Sequence, residues 1–156
     1  MKNHEFFMKE AIKEAEKSIK QGDYGIGSVI VFKNKIISRA GNSIFSKRDS
    51  LAHAEFLAIE KLRNKKIFSL KNRKNMAIYT TLEPCPMCYG AITVINIPLI
   101  VCGAQDKPSG FSKKNLPKIY KKVAPKIIYG VLSKDCYRTF SKNKKEVHDK
   151  YLKGLI

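Results

Sequence analysis

The sequence predicts an α/β fold in which a central mixed five-stranded sheet is flanked by helices. Three observations carry this. An amphipathic helical stripe is followed at once by a β-branched hairpin, an apolar strand–helix–strand run spans 76 to 103, and a further strand leads into a helical C-terminal segment. A chain of 156 residues has the length of one domain and buries roughly 70% of its unfolded surface without disulfide help.

The elements follow in order. From His4 to about Gln21, Met8, Ile12, Ala15 and Ile19 share one stripe while Glu5/Lys9 and Glu16/Lys20 stand four apart on the wet side, and Gly22 stops the helix. Gly27 to Phe32 and Lys35 to Arg39 are strands joined by the turn Lys33-Asn34-Lys35. Ser50 is placed to cap a helix that carries His53 and Glu55 in its first turn and buries Ala54, Leu57, Ala58 and Leu62. After a basic connection, Met76 to Thr81 is a strand and a helix opens at Pro84, where proline is tolerated. Leu99 to Gly103 is apolar throughout, as a parallel strand covered on both faces requires. A Pro-, Gly- and Lys-rich loop with a short helix runs to about Val123, and Lys126 to Leu132 is the last strand. Ser133 then caps one long terminal helix with Cys136, Phe140, Val147 and Tyr151 on one side and Lys142, Lys144, Lys145 and Lys150 outside. Pro84 to Gln105 contains no charged residue, but Gly90, Asn96 and Pro98 break it, so it reads as a buried helix joined to a buried strand and not as a membrane span.

Four cysteines in a chain of this size do not make a disulfide framework, and Met1 to Glu5 leads into a charged helix with no apolar leader, so a reducing, cytoplasmic location is expected. The net charge is +18. Seven basic and no acidic residues lie between Lys61 and Asn75, and eight basic and none acidic between Lys107 and Lys134. Two readings stand: a surface for a polyanion such as RNA, or a lysine-rich coding bias that leaves solvated faces.

The chemistry concentrates in His53-Ala54-Glu55 and Pro84-Cys85-Pro86-Met87-Cys88. Cys85 and Cys88 are three apart, so in the first turn of a helix both sulfurs face one way, where backbone N–H groups and the helix dipole favour thiolates. His53, 32 residues upstream of Cys85, supplies a third ligand. One imidazole and two thiolates leave the fourth position of a tetrahedral zinc open, the mark of a catalytic site. Glu55 stands two residues beyond His53, within reach of a zinc-bound water as a proton shuttle. Taken singly, the Cys pair could be a redox couple, the histidine a satisfied core residue and the glutamate a helix-start carboxylate. It is their conjunction that carries the reading.

At these residues the chain resembles the cytidine deaminase superfamily, and within it the branch holding bacterial tRNA adenosine deaminases, guanine deaminases and fungal cytosine deaminases. The resemblance covers most of the chain: Ile26-Gly27-Ser28-Val29-Ile30-Val31, Gly41-Asn42, Ala52-His53-Ala54-Glu55, Thr80 to Ala91, and Gly103-Ala104-Gln105-Asp106. It implies a three-layer α/β/α cytidine-deaminase-like fold, one Zn2+ per subunit on His53, Cys85 and Cys88, and Glu55 as the catalytic acid/base. It also implies a substrate site that includes Asn42, Ile26, Ala54, Pro84 and Asp106, and a homodimer with the second metal-binding helix near the interface. The basic clusters, Thr-Leu-Glu before Pro84, and Gly130-Val131-Leu132 with Asp135-Cys136 are most similar to the tRNA adenosine deaminases, so hydrolytic conversion of adenosine to inosine in a tRNA anticodon loop is the leading expectation. The chain departs from that pattern at Tyr24-Gly25-Ile26, which lacks a proline, and at Ser50-Leu51 in place of Pro-Thr, while Pro86 between the cysteines occurs in guanine deaminases too. A deaminase of a free base or nucleoside (guanine or cytosine) in salvage, and a non-catalytic zinc-stabilised RNA-binding module, are the alternatives.

Overall fold

A computed structural model describes residues 3–106, 110–111 and 116–153. Helix α1 (His4–Lys20) begins where the Asn3 side chain accepts the Phe6 N–H at 3.0 Å, and the chain turns away at Gly22 with φ +79°. Its buried stripe is Phe7, Met8, Ala11 and Ala15, with Ile12 and Ile19 half-buried at its margin. The ion pairs on its wet side are Glu10–Lys13 and Glu14–Lys17, three apart, and Arg39 also reaches Glu10 at 3.0 Å.

Strands β1 (Gly27–Phe32) and β2 (Lys35–Gly41) form an antiparallel hairpin with a register shift between Ile30 and Val31. Its two-residue turn places Lys33 and Asn34 at φ 50° and 59°, the left-handed pair whose twist matches the strands. β3 (Met76–Leu82) pairs antiparallel with β1, and β4 (Leu99–Ala104) and β5 (Lys126–Ile128) continue in parallel from it, giving the order β2-β1-β3-β4-β5 among the described residues. All seven residues of β3 are buried, as a central strand covered on both faces demands.

Period-two alternation divides the core in two. Ile30, Ile78 and Ile100 face α3 (Ala54–Glu60) and α5 (Pro86–Val94), meeting Leu57, Ala58 and Ile92. Val29, Tyr79 and Val101 face α1 and α7 (Ser133–Ser141), meeting Phe7, Met8, Cys136 and Phe140. The result is the three-layer α/β/α arrangement expected from sequence. Gly27 permits it on one side, because a Cβ there would stand 2.0 Å from the Ala11 carbonyl oxygen, so α1 can lie directly on β1 only over a glycine.

Five expectations are corrected. The helix after Ser50 starts at Ala54 with His53 as its N-cap, and Ser50 is exposed in the preceding turn. The helix after β3 opens at Pro86 with Cys85 as N-cap, so Pro86 and not Pro84 is the first-turn proline. The last strand stops at Ile128, because Gly130 (φ +88°) and Leu132 (φ 52°) turn the backbone left-handed, and Leu132, not Ser133, stands at the cap of α7. The single terminal helix is two, α7 and α8 (Lys144–Leu152), broken at 142–143, where the Asn143 side chain donates to the Asp23 carbonyl at 2.7 Å. Cys136, Phe140 and Val147 are buried as expected, while the side chains of Lys150 and Tyr151, like residues 107–109 and 112–115 of the loop before β5, lie outside the described residues. Short helices Ile44–Lys47, Leu70–Arg73 and Lys118–Lys121 (α2, α4 and α6) complete the connections. Among the described residues no helix is long and apolar enough to cross a membrane.

Candidate active site

Two helix starts meet below the carboxyl ends of β3 and β4. His53 takes an extended conformation (φ −70°, ψ 149°) as N-cap of α3, and its carbonyl accepts the Leu57 N–H at 2.9 Å, which fixes the residue at the head of the helix. Cys85 is extended in the same way as N-cap of α5, and Cys88, three residues on, is fully buried. One ligand atom from each of His53, Cys85 and Cys88 lies within 4.8 Å of the other two, and Cys85 Sγ is 3.7 Å from His53 Nδ1. Tetrahedral zinc with bonds of about 2.3 Å to sulfur and 2.0 to 2.1 Å to nitrogen sets those two atoms about 3.6 Å apart, so the residues present fit the ion.

The electrostatics agree. The neighbouring Cys88 thiol and the His53 ring hold Cys85 down to about 4, while Cys85 and burial push Cys88 upward, and His53 is raised by Cys85. These opposed shifts follow from the closeness of the three donor atoms. Glu55, in the first turn of α3, is 3% exposed, and burial raises its pKa. The Thr80 hydroxyl on β3 donates to Glu55 Oε1 at 2.8 Å and so orients the carboxyl.

A cavity of about 450 Å³ opens above this cluster. His53, Glu55 and Cys85 face it, with Ile26, Asn42 and Asp106. Asn42 is 1% exposed, held by its N–H to the Ile26 carbonyl (2.9 Å), and its Oδ1 accepts the Ile44 N–H at 3.4 Å. Cys88, Ala54 and Pro84 are buried and are not part of the lining. Sequence reasoning missed Tyr24, Glu83, Phe140, Lys144 and His148, which also line the cavity. Glu83 was visible within the Thr-Leu-Glu motif. Lys144 and His148 stand four apart, but only the break after α7 folds α8 back over the cavity, with Lys144 Nζ 4.9 Å from the Phe140 ring centre.

A three-layer α/β/α fold with a histidine, two cysteines and a buried glutamate at paired helix starts defines a zinc-dependent hydrolytic deaminase. Residues 1–104 match the model of the cytidine and deoxycytidylate deaminase zinc-binding region, and the chain belongs to that family. It is 36% identical to the tRNA-specific adenosine deaminase of Bacillus subtilis, over 87% of this chain and 85% of that one. A solved structure from work on A-to-I editing by tRNA:A34 deaminases at the wobble position of transfer RNA superposes with a TM-score of 0.71 at 28% identity, covering 86% of this chain and 98% of the other. The guanine deaminase structure from Bacillus subtilis matches at TM-score 0.57 and 34% identity, over 66% and 65% of the two chains.

Proposed function

We propose that the protein converts adenosine to inosine in the anticodon loop of a tRNA, with Glu55 as catalytic acid/base and His53, Cys85 and Cys88 as the zinc ligands. The observation that carries the substrate is the likeness, along most of both chains, to the tRNA-specific adenosine deaminase of Bacillus subtilis. Lys144, the one lysine among the described lining residues, offers a cation to a phosphate.

Bound zinc supplies Lewis-acid activation of water at neutral pH. Glu55 keeps one oxygen on Thr80 and uses the other to take a proton from that water. It hands that proton to the ring nitrogen beside the amino-bearing carbon as the water oxygen bonds to that carbon, then moves the remaining hydroxyl proton to the amine, so that the C–N bond breaks and water and adenosine become inosine and ammonia. Asn42 turns its Oδ1 to the Ile44 N–H, which leaves its amide to donate to the substrate, while Ile26 and Asp106 bound the same space. Ala54 and Pro84 shape the site from beneath. The likeness to a guanine deaminase keeps a free purine as the second reading.

The whole chain acts as one deaminase domain in the cytoplasm, as a homodimer. Met87, Gly90, Ala91 and Val94 form an open strip on α5, with Val94 67% exposed and open space where a Gly90 Cβ would stand. Sedimentation tests the dimer, with Val94→Glu expected to give a monomer. Ammonia release from zinc-loaded protein tests the reaction on free bases, nucleosides and an anticodon stem-loop, with Glu55→Gln as control. Turnover of the stem-loop alone, falling with added salt, is expected. Turnover of free guanine alone would replace this reading with the second.

A further inference from the structure

Besides the metal ligands and their neighbours, three separate stretches line the catalytic cavity: Tyr24 and Ile26 before β1, Asn42 and Ile44 after β2, and Lys144 and His148 on α8. One buried residue that is not part of the lining joins all three. Asp23 is fully buried, and its Oδ1 accepts the Phe45 N–H at 2.7 Å and the Ser46 N–H at 3.2 Å. These are the second and third amides of α2, the pair a capping side chain takes, and Ser43, its N-cap, makes no such bond. The Asp23 carbonyl accepts the Asn143 side chain at 2.7 Å, at the break from which α8 starts. The ring of Tyr24, the next residue, has its centre 6.3 Å from that of Phe45 and 6.4 Å from that of Phe140, so aromatic packing repeats the same three-way join.

We propose that Asp23 is a positioning residue for the deamination, fixing Asn42 on one side of the substrate base and α8 on the other. The inference rests on the deaminase reading of this cavity and not on the choice of base. Asp23 acts at one remove from the substrate: α2 supplies the Ile44 N–H that takes Asn42 Oδ1, so the direction of the Asn42 amide follows from where α2 stands. A local cap at Ser43 would satisfy the same α2 amides at lower cost, since burying a carboxylate is expensive. Asp23 Oδ2 has no hydrogen-bond partner among the described residues, which adds to that cost. What a cap drawn from 22 positions upstream adds is a tie between distant segments, and all of the segments it ties line the cavity.

The test is steady-state kinetics of the zinc-loaded full chain on the anticodon stem-loop, or on free guanine if that is what the wild type turns over. Asp23→Ala is expected to raise KM about 10- to 100-fold, the penalty of a binding wall displaced by about an ångström, with zinc content kept and kcat close to wild type. Asp23→Asn keeps one acceptor oxygen for the Phe45 and Ser46 amides and is expected to restore a KM near wild type. Thr93→Val removes a buried hydroxyl on α5 that is not part of the lining, and is expected to lower stability and leave KM alone. Amide hydrogen exchange is expected to find Phe45 and Ser46 unprotected in Asp23→Ala and protected in Asp23→Asn. Should Asp23→Ala fail to fold, Asn143→Ala, which frees only α8, is expected to raise KM with kcat kept. An unchanged KM in Asp23→Ala, or in Asn143→Ala where that variant carries the test, overturns the positioning role and leaves the deaminase reading standing. A wild type that releases ammonia from neither substrate overturns that reading and this one together.

Discussion

The protein holds two pairs of cysteines, and their surroundings give the same side chain opposite chemistry. Cys85 caps α5 with His53 against it and Cys88 lies in the first turn, and the Cys85 thiol is held down to about 4. Cys102 on β4 and Cys136 on α7 are fully buried, and burial pushes both thiols upward, Cys136 to about 12. Cys136 packs so closely over the sheet that a Cβ at Gly103 would come within 2.3 Å of its sulfur. The Cys88 thiol, a neighbouring imidazole and a helix start hold Cys85 down while Cys88 is pushed up beside it, whereas Cys102 and Cys136 are buried away from any imidazole and behave as small hydrophobes. Location alone separates a metal-binding pair from a packing pair.

The largest expected effect breaks the reactive pair. Cys88→Ser or His53→Ala should abolish zinc retention through dialysis, and turnover with it, read by metal analysis and ammonia release. Next, Glu55→Gln should keep zinc at one per chain while kcat falls about 10²- to 10⁴-fold, the range for loss of a general acid/base. Normal turnover in that variant would remove Glu55 from the mechanism. Thr80→Val, which deletes the hydroxyl that orients Glu55, should lower kcat about tenfold with zinc and KM unchanged, as expected for one hydrogen bond to a carboxylate. The smallest effects belong to the packing pair: Cys102→Ala or Cys136→Ala should leave zinc and kcat alone and lower unfolding free energy by about 1 to 2 kcal/mol in denaturant titrations.

That pair also makes a signed prediction about pH. The Cys136 thiol has an ordinary value of 9 and is raised to about 12 in the folded protein, so the folded state holds its proton where the unfolded chain has lost it. Its contribution is fully present below pH 9 and is lost as pH rises from 9 through 12. Tyr79, also raised to about 12 by burial, adds a loss of the same sign above pH 10. Cys136→Ala should therefore show a shallower fall in stability between pH 9 and 12, while the Tyr79 part remains.

The placing of His53, Glu55, Cys85 and Cys88 at two helix heads was legible in the sequence because each pair rests on short-range geometry: a spacing of three at one helix start, and a spacing of two at the other. The central strands were legible from β-branched runs, although β2 extends to Gly41 and β3 to Leu82, beyond the limits their composition set. The substrate cavity was legible only in part. Its far wall depends on two backbone events that periodicity does not signal, the left-handed turn at Gly130 and Leu132 and the break at 142–143. The stripe Cys136, Phe140 and Val147 satisfies an uninterrupted helix equally well. What redirects α8 is a contact between residues 120 positions apart, Asn143 with the Asp23 carbonyl.

That contact carries a consequence for the order in which the protein comes into being on the ribosome. His53, Cys85, Cys88 and the first four strands of the sheet are all translated by Ala104, so a growing chain holds every zinc ligand before α7 and α8 exist. Phe140, Lys144 and His148, which line the same cavity, are translated after them. The cluster at the floor of the cavity thus precedes the cavity's outer wall in the order of translation.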